Sequence, residues 1–500
     1  MFTPPEPGFG GDFCIWSIPP ETGFGPDKRK ARIMAHTADI DLSHAGRRIT
    51  GHGLDAWRDE AWETLKLAFP LALTQLAQMA IMTTDVIMLG HLSTTALAAA
   101  ALGNTAFFFC WILGCGPVAA VAPMIAHTLG GDPGNVADIR SAVRMGFWAM
   151  LAISLPLIAL LLFIAPIYLF LGQTPELAAG AQAFTRALCW GLPFSLGYQV
   201  LRNFSTALSR PRASLIVMVT AIFFNAAGDY ALIFGHFGMP KLGLVGSGLA
   251  SASSYTFSFV MMVMVVRLTP SLHKYRIFLN FFDAHWEQLK EVFRLGMPIG
   301  FTMMFEAMLF AGSTLLMGRF STASVAAHMI ALNVPSITFM VPLGIGMAST
   351  VRVGLAAGAG DREAVRRAGY GAILMSVAFM SVTAVLLWLF PETIANLYLD
   401  RSASSAEVIA LAVVFLHVAA VFQIADGIQV VGAMSLRGLK DANAPMWIAG
   451  GSYWIAGFPT CVALGFWLHM GGLGIWIGLA FALLVAAILM CWRFWYLSRR

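Results

Sequence analysis

Long apolar runs, each closed by a charge, a glycine or a proline, recur from residue 64 to residue 497. A helix that crosses a bilayer needs about 20 predominantly apolar residues. The chain offers twelve such runs: 64–92, 96–122, 139–164, 182–208, 213–235, 244–268, 289–318, 323–353, 364–390, 406–436, 442–468 and 473–497. Several exceed the minimum, which implies tilt or protrusion. The pattern predicts an all-α polytopic membrane protein. Ahead of the first run, LDAWRDEAWETLK (54–66) alternates apolar and charged residues at helical spacing and is expected to lie along the membrane interface.

The second half of this pattern copies the first. A shift of 228 residues sets Leu67-Ala-Phe-Pro70 on Leu295-Gly-Met-Pro298, and then Thr74 on Thr302, Gly90 on Gly318, Ser93-Thr94 on Ser321-Thr322 and Ala98-Ala99 on Ala326-Ala327. Gly131-Asp132 after the second run likewise matches Gly360-Asp361 after the eighth. A six-helix unit ends on the side where it began, so the two copies run parallel. They form two six-helix bundles related by a pseudo-two-fold axis along the membrane normal, with a cleft between them that can face either side in turn. The expected divisions are a disordered or interfacial tail at 1–60, an N-lobe at 61–268, a linker at 269–287 and a C-lobe at 288–498.

Composition agrees: 58% of residues are hydrophobic and 11% charged, against about 25% charged in soluble proteins, and mean hydropathy is +0.75. The net charge of +5 raises the question of nucleic acid, but the placement of the basic residues answers it. With the N-terminus inside, the inner loops hold Arg140, Arg144, Arg210, Arg212, Arg267, Lys274, Arg276, Lys290, Arg352, Arg362, Arg366, Arg367, Arg437 and Lys440. The outer loops hold Lys241, Arg319 and Arg401. That asymmetry is the positive-inside rule; it places both termini in the cytoplasm and leaves no nucleic-acid role. The tail carries its own cluster, Lys28, Arg29, Lys30 and Arg32, and Met34 offers a second start. The six cysteines lack metal-ligand spacing and read as core residues, without disulfides.

Acids inside the runs carry the chemistry. An acid at mid-helix costs about 2.5–3.5 kcal/mol to insert, so each is a functional candidate. Asp85 lies roughly 8 Å below the outer end of helix 1 and Asp229 roughly 9 Å below that of helix 5, at 1.5 Å per residue. Asn225 sits one turn from Asp229 on the same face. In the other lobe Glu306 is roughly 18 Å deep, and Asp426 on helix 10 lies at a similar level. The repeat position of Glu306 is Gln78, and that of Asp85 is Ser313, so the lobes carry acids at non-equivalent places. Carboxyl groups removed from water and placed near one another favour their neutral form. A site that trades a proton for a cation performs antiport, and each proton entering against 100 mV contributes about 2.3 kcal/mol.

The chain resembles the MATE (multidrug and toxic compound extrusion) transporters over residues 60–497. The stretches that carry the resemblance are Pro70 with Asp85-Val-Ile-Met-Leu-Gly90, Asn225-Ala-Ala-Gly-Asp229, Gly238-Met-Pro-Lys-Leu-Gly243, Phe305-Glu306, Phe422-Gln-Ile-Ala-Asp426-Gly-Ile-Gln429 and Leu436-Arg437-Gly438. The family implies export of small organic cations in exchange for H+ or Na+, from a monomer in the bacterial inner membrane, with no cofactor. Cation coupling is expected at Asp85, Asn225 and Asp229 in the N-lobe and at Glu306 and Asp426 in the C-lobe, with Gln78, Phe422 and Gln429 accessory. Sodium-using members have Tyr where this chain has Phe422; the missing oxygen favours the proton, though sodium at the carboxylates stays open.

Other signals weigh less. Met303, Met304, Phe305, Met308, Phe339 and Met340 suit either a soft ligand lining or plain packing. Gly296–Gly300 and Gly354–Gly358 have small-residue spacing for close helix contact. Gly358-Ala-Gly-Asp361 spells an intramembrane protease motif but falls in an inner loop. The histidines have no metal-ligand spacing, and no phosphate-binding Gly-Lys loop is present, so ATP is not the energy source. A carrier that flips lipid-linked oligosaccharides is the alternative, with Arg186 and Arg202 as its candidate cleft cations; a membrane-embedded enzyme ranks last for want of a nucleophile–base pair or metal cluster.

Overall fold

A computed structural model of the chain describes residues 53–398 and 405–499; the basic tail cluster, Met34, Cys14 and Arg401 lie outside them. The described chain is a succession of helices. The first half holds α1 (Leu54–Gly90), α2 (Thr94–Ala119) with its continuation α3 (Val121–Gly131), α4 (Val136–Leu162), the short α5 (Ala165–Phe170), α6 (Pro175–Leu188), α7 (Gly191–Ala207), α8 (Arg212–Phe234) and α9 (Gly243–Leu268). A single turn, α10 (Pro270–His273), leads to the second half. There follow α11 (Trp286–Met317), α12 (Thr322–Gly358), α13 (Arg362–Leu389), α14 (Pro391–Ala395), α15 (Ala406–Gly438), α16 (Asn443–Gly450), α17 (Phe458–Val462) and α18 (Gly471–Arg499).

Ten spans among the described residues are long and apolar enough to cross a membrane, with α2 and α3 counted as one. The other two expected crossings exist but are broken. The fourth is split at Cys189-Trp190 into α6 and α7. The eleventh passes through two π-helical stretches, Gly451–Gly457 and Ala463–Trp467, on either side of α17. Pro459 has no N–H to give the regular ladder, and the wider turn accommodates that loss beside Gly450, Gly451 and Gly457. The twelve-helix, two-bundle arrangement follows.

The repeat is visible in single hydrogen bonds. Thr74 donates its hydroxyl to the Pro70 carbonyl (2.7 Å), and Thr302 does the same to Pro298 (2.8 Å); each fills the acceptor that the proline left open. Ser93 caps α2 by accepting from the Ala96 N–H at 3.0 Å, and Ser321 caps α12 from Ser324 at 3.0 Å. The fourth and tenth crossings both end on a left-handed residue, Ser209 (φ 57°) and Lys440 (φ 58°). The next N–H in each turns back to the helix, Arg210 to Ser205 (2.8 Å) and Asp441 to Leu436 (3.0 Å).

One expectation at the start of the first crossing is corrected. Residues 54–66 do not form a separate interfacial helix; they run without interruption into α1. The reason is a long-range partner. Glu60, 3% exposed, receives the Arg352 guanidinium on both oxygens, Nε at 2.7 Å and Nη2 at 2.6 Å. Arg352 belongs to the last turns of α12, so the pair joins the two halves.

Around that pair the halves meet along a narrow seam. Leu67, Ala68 and Leu71 of α1 pack with Ile345 and Ala348 of α12 and Val430, Val431 and Met434 of α15. Ala72 lies against Gly344, where a methyl group would fall 2.6 Å from the Ala72 nitrogen. On the other flank α2 meets α11 backbone to backbone: a methyl group on Gly116 would fall 2.5 Å from the Gly296 carbonyl oxygen. Gly130 and Gly358 likewise press on Leu355 and His127. These approaches all lie toward the helix ends that carry the basic loops. The linker side is tied down too. Arg140 donates to the Tyr275 carbonyl (2.9 Å), Arg144 to Asn280 (2.7 Å) and the Trp148 indole to Phe281 (3.1 Å), so 275–281 is fastened to α4.

Glu60→Gln leaves a buried guanidinium without its counter-charge, and loss of one partner of such a pair costs about 3–5 kcal/mol. The thermal unfolding midpoint of the purified protein is expected to fall clearly, and the exchange E60R/R352E to recover part of it.

Candidate functional site

In the first half, α1, α8 and α9 bring a carboxylate pair together. Asn225 and Asp229 point from α8 into the core, both 0% exposed, and both adjoin Asp85 of α1. Ser251 of α9 donates its hydroxyl to one Asp85 oxygen at 3.0 Å. The other Asp85 oxygen, both oxygens of Asp229 and both polar atoms of the Asn225 amide are buried without a protein hydrogen-bond partner. Buried polar atoms are nearly always paired, so five convergent exceptions mark a place that receives something. The Tyr255 ring, stacked on Phe107 at 5.8 Å, stands within electrostatic reach of Asp85.

In the second half, Asp426 of α15 lies beside Glu306 of α11. Gln429 is one turn further along α15 and 1% exposed. Tyr453, fully buried on the first π-helical stretch, faces the same group. One Asp426 oxygen, the Gln429 carbonyl oxygen and the Tyr453 hydroxyl are buried without a protein partner. Phe422 does not reach these acids with a polar atom; it packs on Trp476 at 5.6 Å and Phe310 at 6.0 Å, ring centre to ring centre. Gln78 is half-buried on α1 and joins neither cluster by a hydrogen bond. Its neighbour Gln75 instead accepts a hydrogen bond from Arg202 at 2.6 Å.

Two further groups belong to these clusters and escaped the sequence reading. Ser251 sits in a run of small residues, which signals helix contact rather than a hydroxyl aimed at an acid. Tyr453 is set in an apolar run and turned inward by the π-helical geometry, which periodicity at 3.6 residues does not forecast. The arginines suggested as partners for the acids go elsewhere: Arg186 is exposed and donates to the Leu162 carbonyl at 3.3 Å. At the repeat position of Asp85, Ser313 approaches His328 (3.5 Å) instead of an acid.

Comparison with known proteins bears directly on the repeat. The MatE family model matches twice, at residues 70–231 and 298–463, with starts 228 residues apart as in the internal alignment. The chain belongs to the MATE family of transporters. Curated relatives include "Probable multidrug resistance protein NorM" of Mesorhizobium japonicum, 44% identical over 439 residues (87% of this chain, 94% of the relative). The protein of the same name in Brucella suis biovar 1 is 41% identical over 440 residues (87% and 93%). Among solved structures, the eukaryotic MATE transporter AtDTX14 superposes with a TM-score of 0.79 at 21% identity, covering 89% of this chain and 98% of that one. An outward-facing multidrug resistance MATE family transporter does so with a TM-score of 0.77 at 18% identity (88% and 97%). A multi-pass membrane protein of the MATE fold is thereby shown, and it is a transporter, not an enzyme.

Unpartnered buried carboxylates burden stability, so their removal is expected to relieve it. Asp229→Asn and Asp426→Asn should leave the unfolding midpoint equal to or above that of the native protein, and Tyr453→Phe should leave it unchanged. Thermal unfolding in detergent checks all three.

Proposed function

We propose that this MATE protein is a multidrug exporter of small organic cations. In this reading it exchanges each for protons by rocking one six-helix lobe against the other in the bacterial inner membrane. The observation that carries the reading is the pair of buried acid clusters, one per lobe, whose oxygens lack protein partners. Each is suited to hold a proton in one state and give it up to a cation or to water in the other. The names carried by relatives at 41–44% identity support a drug substrate. The lipid-linked oligosaccharide reading receives no such support.

With both termini in the cytoplasm, the seam around Glu60 and Arg352 closes the inner side, and the cleft faces outward. Residues 269–287 then form the inner linker, and the protein acts as a monomer. The coupling acids are Asp85 and Asp229, assisted by Asn225, and Glu306 with Asp426, assisted by Gln429. Sodium is the second reading, favoured by one observation: Tyr453 brings to the C-lobe acids a hydroxyl of the kind that Phe422 lacks. Sodium prefers oxygen ligands.

Inverted vesicles containing the protein should take up a fluorescent organic cation when a pH gradient, acid inside, is imposed. Asp229→Asn and Asp426→Asn should each abolish that uptake with expression intact. Uptake that follows a sodium gradient instead, and fails in Tyr453→Phe, selects the second reading; no uptake under either gradient overturns both.

A further inference from the structure

Beneath the acid clusters, a cavity of about 110 Å³ lies between the halves, near the seam. It is lined by two cations, Arg202 of α7 and Arg437 of α15, one from each half, and by the amides Gln75, Gln199 and Asn203. Arg202 is 6% exposed. Its Nη1 donates to the Gln75 oxygen at 2.6 Å, while its Nε is buried with no acceptor. The Gln199 carbonyl oxygen is also buried and unpaired.

The other buried arginines of this protein are neutralised. Arg352 holds Glu60 at 2.6 Å and Arg367 holds Glu363 at 3.0 Å, while Arg144 lies 3.8 Å from Asp283. Among the described residues no ion pair joins a carboxylate to Arg202 or Arg437; Glu306 acts on Arg437 through its field alone. A guanidinium withdrawn from water needs an anion or several acceptors, and its planar fork fits a carboxylate better than any neutral group. The acids of the transport sites are not in contact to supply it.

We propose that this cavity is an anion subsite, in which Arg202 and Arg437 jointly receive the carboxylate of an amphipathic zwitterion. The preferred cargo is then an organic cation that also bears an acid group, rather than a simple cation. This rests on the exporter reading and specifies its substrate class. Trp111, Met303, Met347 and Met434, which complete the wall, offer soft apolar surface to the body of such a molecule. Because the two guanidinium groups come from different halves, one carboxylate held by both favours the state in which the seam is shut. Cargo binding and closure of that end are thus the same event.

The test uses the purified full-length protein at pH 7.5 and two matched dyes, a rhodamine with a free carboxylate and its ethyl ester, with affinity read by fluorescence polarisation. The ratio of carboxylate to ester affinity is expected to fall at least tenfold in Arg202→Gln and in Arg437→Gln. Arg202→Lys, which keeps the charge but not the fork, should stay closer to the native ratio than Arg202→Gln. A ratio unchanged in both glutamine variants, including one in which both dyes weaken together, overturns the subsite. If gradient-driven uptake of the ester persists in that case, the exporter reading stands and the subsite alone is lost; failure of the native protein to bind either dye removes both.

Discussion

An ionised side chain inside a hydrocarbon slab must find an opposite charge, a set of hydrogen bonds, or a transient visitor. Each deep charge in this protein can be sorted by which of these it has. Glu60 and Arg352 have each other, in a doubly bonded pair that water barely reaches, and that pair sits where two halves of the molecule touch. Asp85, Asp229 and Asp426 have oxygens with none. The first arrangement holds a shape; the second holds a place open for something that comes and goes. Stability and transport are thus assigned to different acids, separated along the same helix α1.

The seam depends on size as much as on charge. Without the attraction that water imposes between apolar surfaces, helices in lipid associate through close packing and hydrogen bonds. Glycines at 116, 296, 344 and 358 let backbones come within reach of one another, which multiplies weak dispersion contacts over a short length. The close approaches gather at one end, and that is what makes a cleft of the remaining interface. A seal of small side chains around one ion pair is firm while formed, yet leaves no long interdigitated side chains to disentangle.

The sequence went far because the membrane simplifies the code. Run length and flanking charge marked twelve crossings, and the shift of 228 residues exposed the duplication that the prolines, threonines and capping serines later showed atom by atom. The depth argument also set Asp85 level with Asp229, and Glu306 level with Asp426, before their helices were known to pack together. Three things stayed hidden. Glu60 looked like one more interfacial charge, since its partner is 292 residues away. Tyr453 is aimed by a local departure from the regular helix that no apolar pattern announces. Arg437 belonged to a loop by hydropathy, whereas its side chain turns back along α15 into the cavity.

The fastening of 275–281 to α4 has a mechanical corollary. A connector bound to one bundle is no longer slack shared between two; it travels as cargo of the first. Relative rotation must then be absorbed in the few bonds between Asp283 and Trp286, just before α11 begins. The swing of the molecule accordingly has a short axle at one edge instead of a loose tether, and this axle sits on the same face as the seam that opens and shuts.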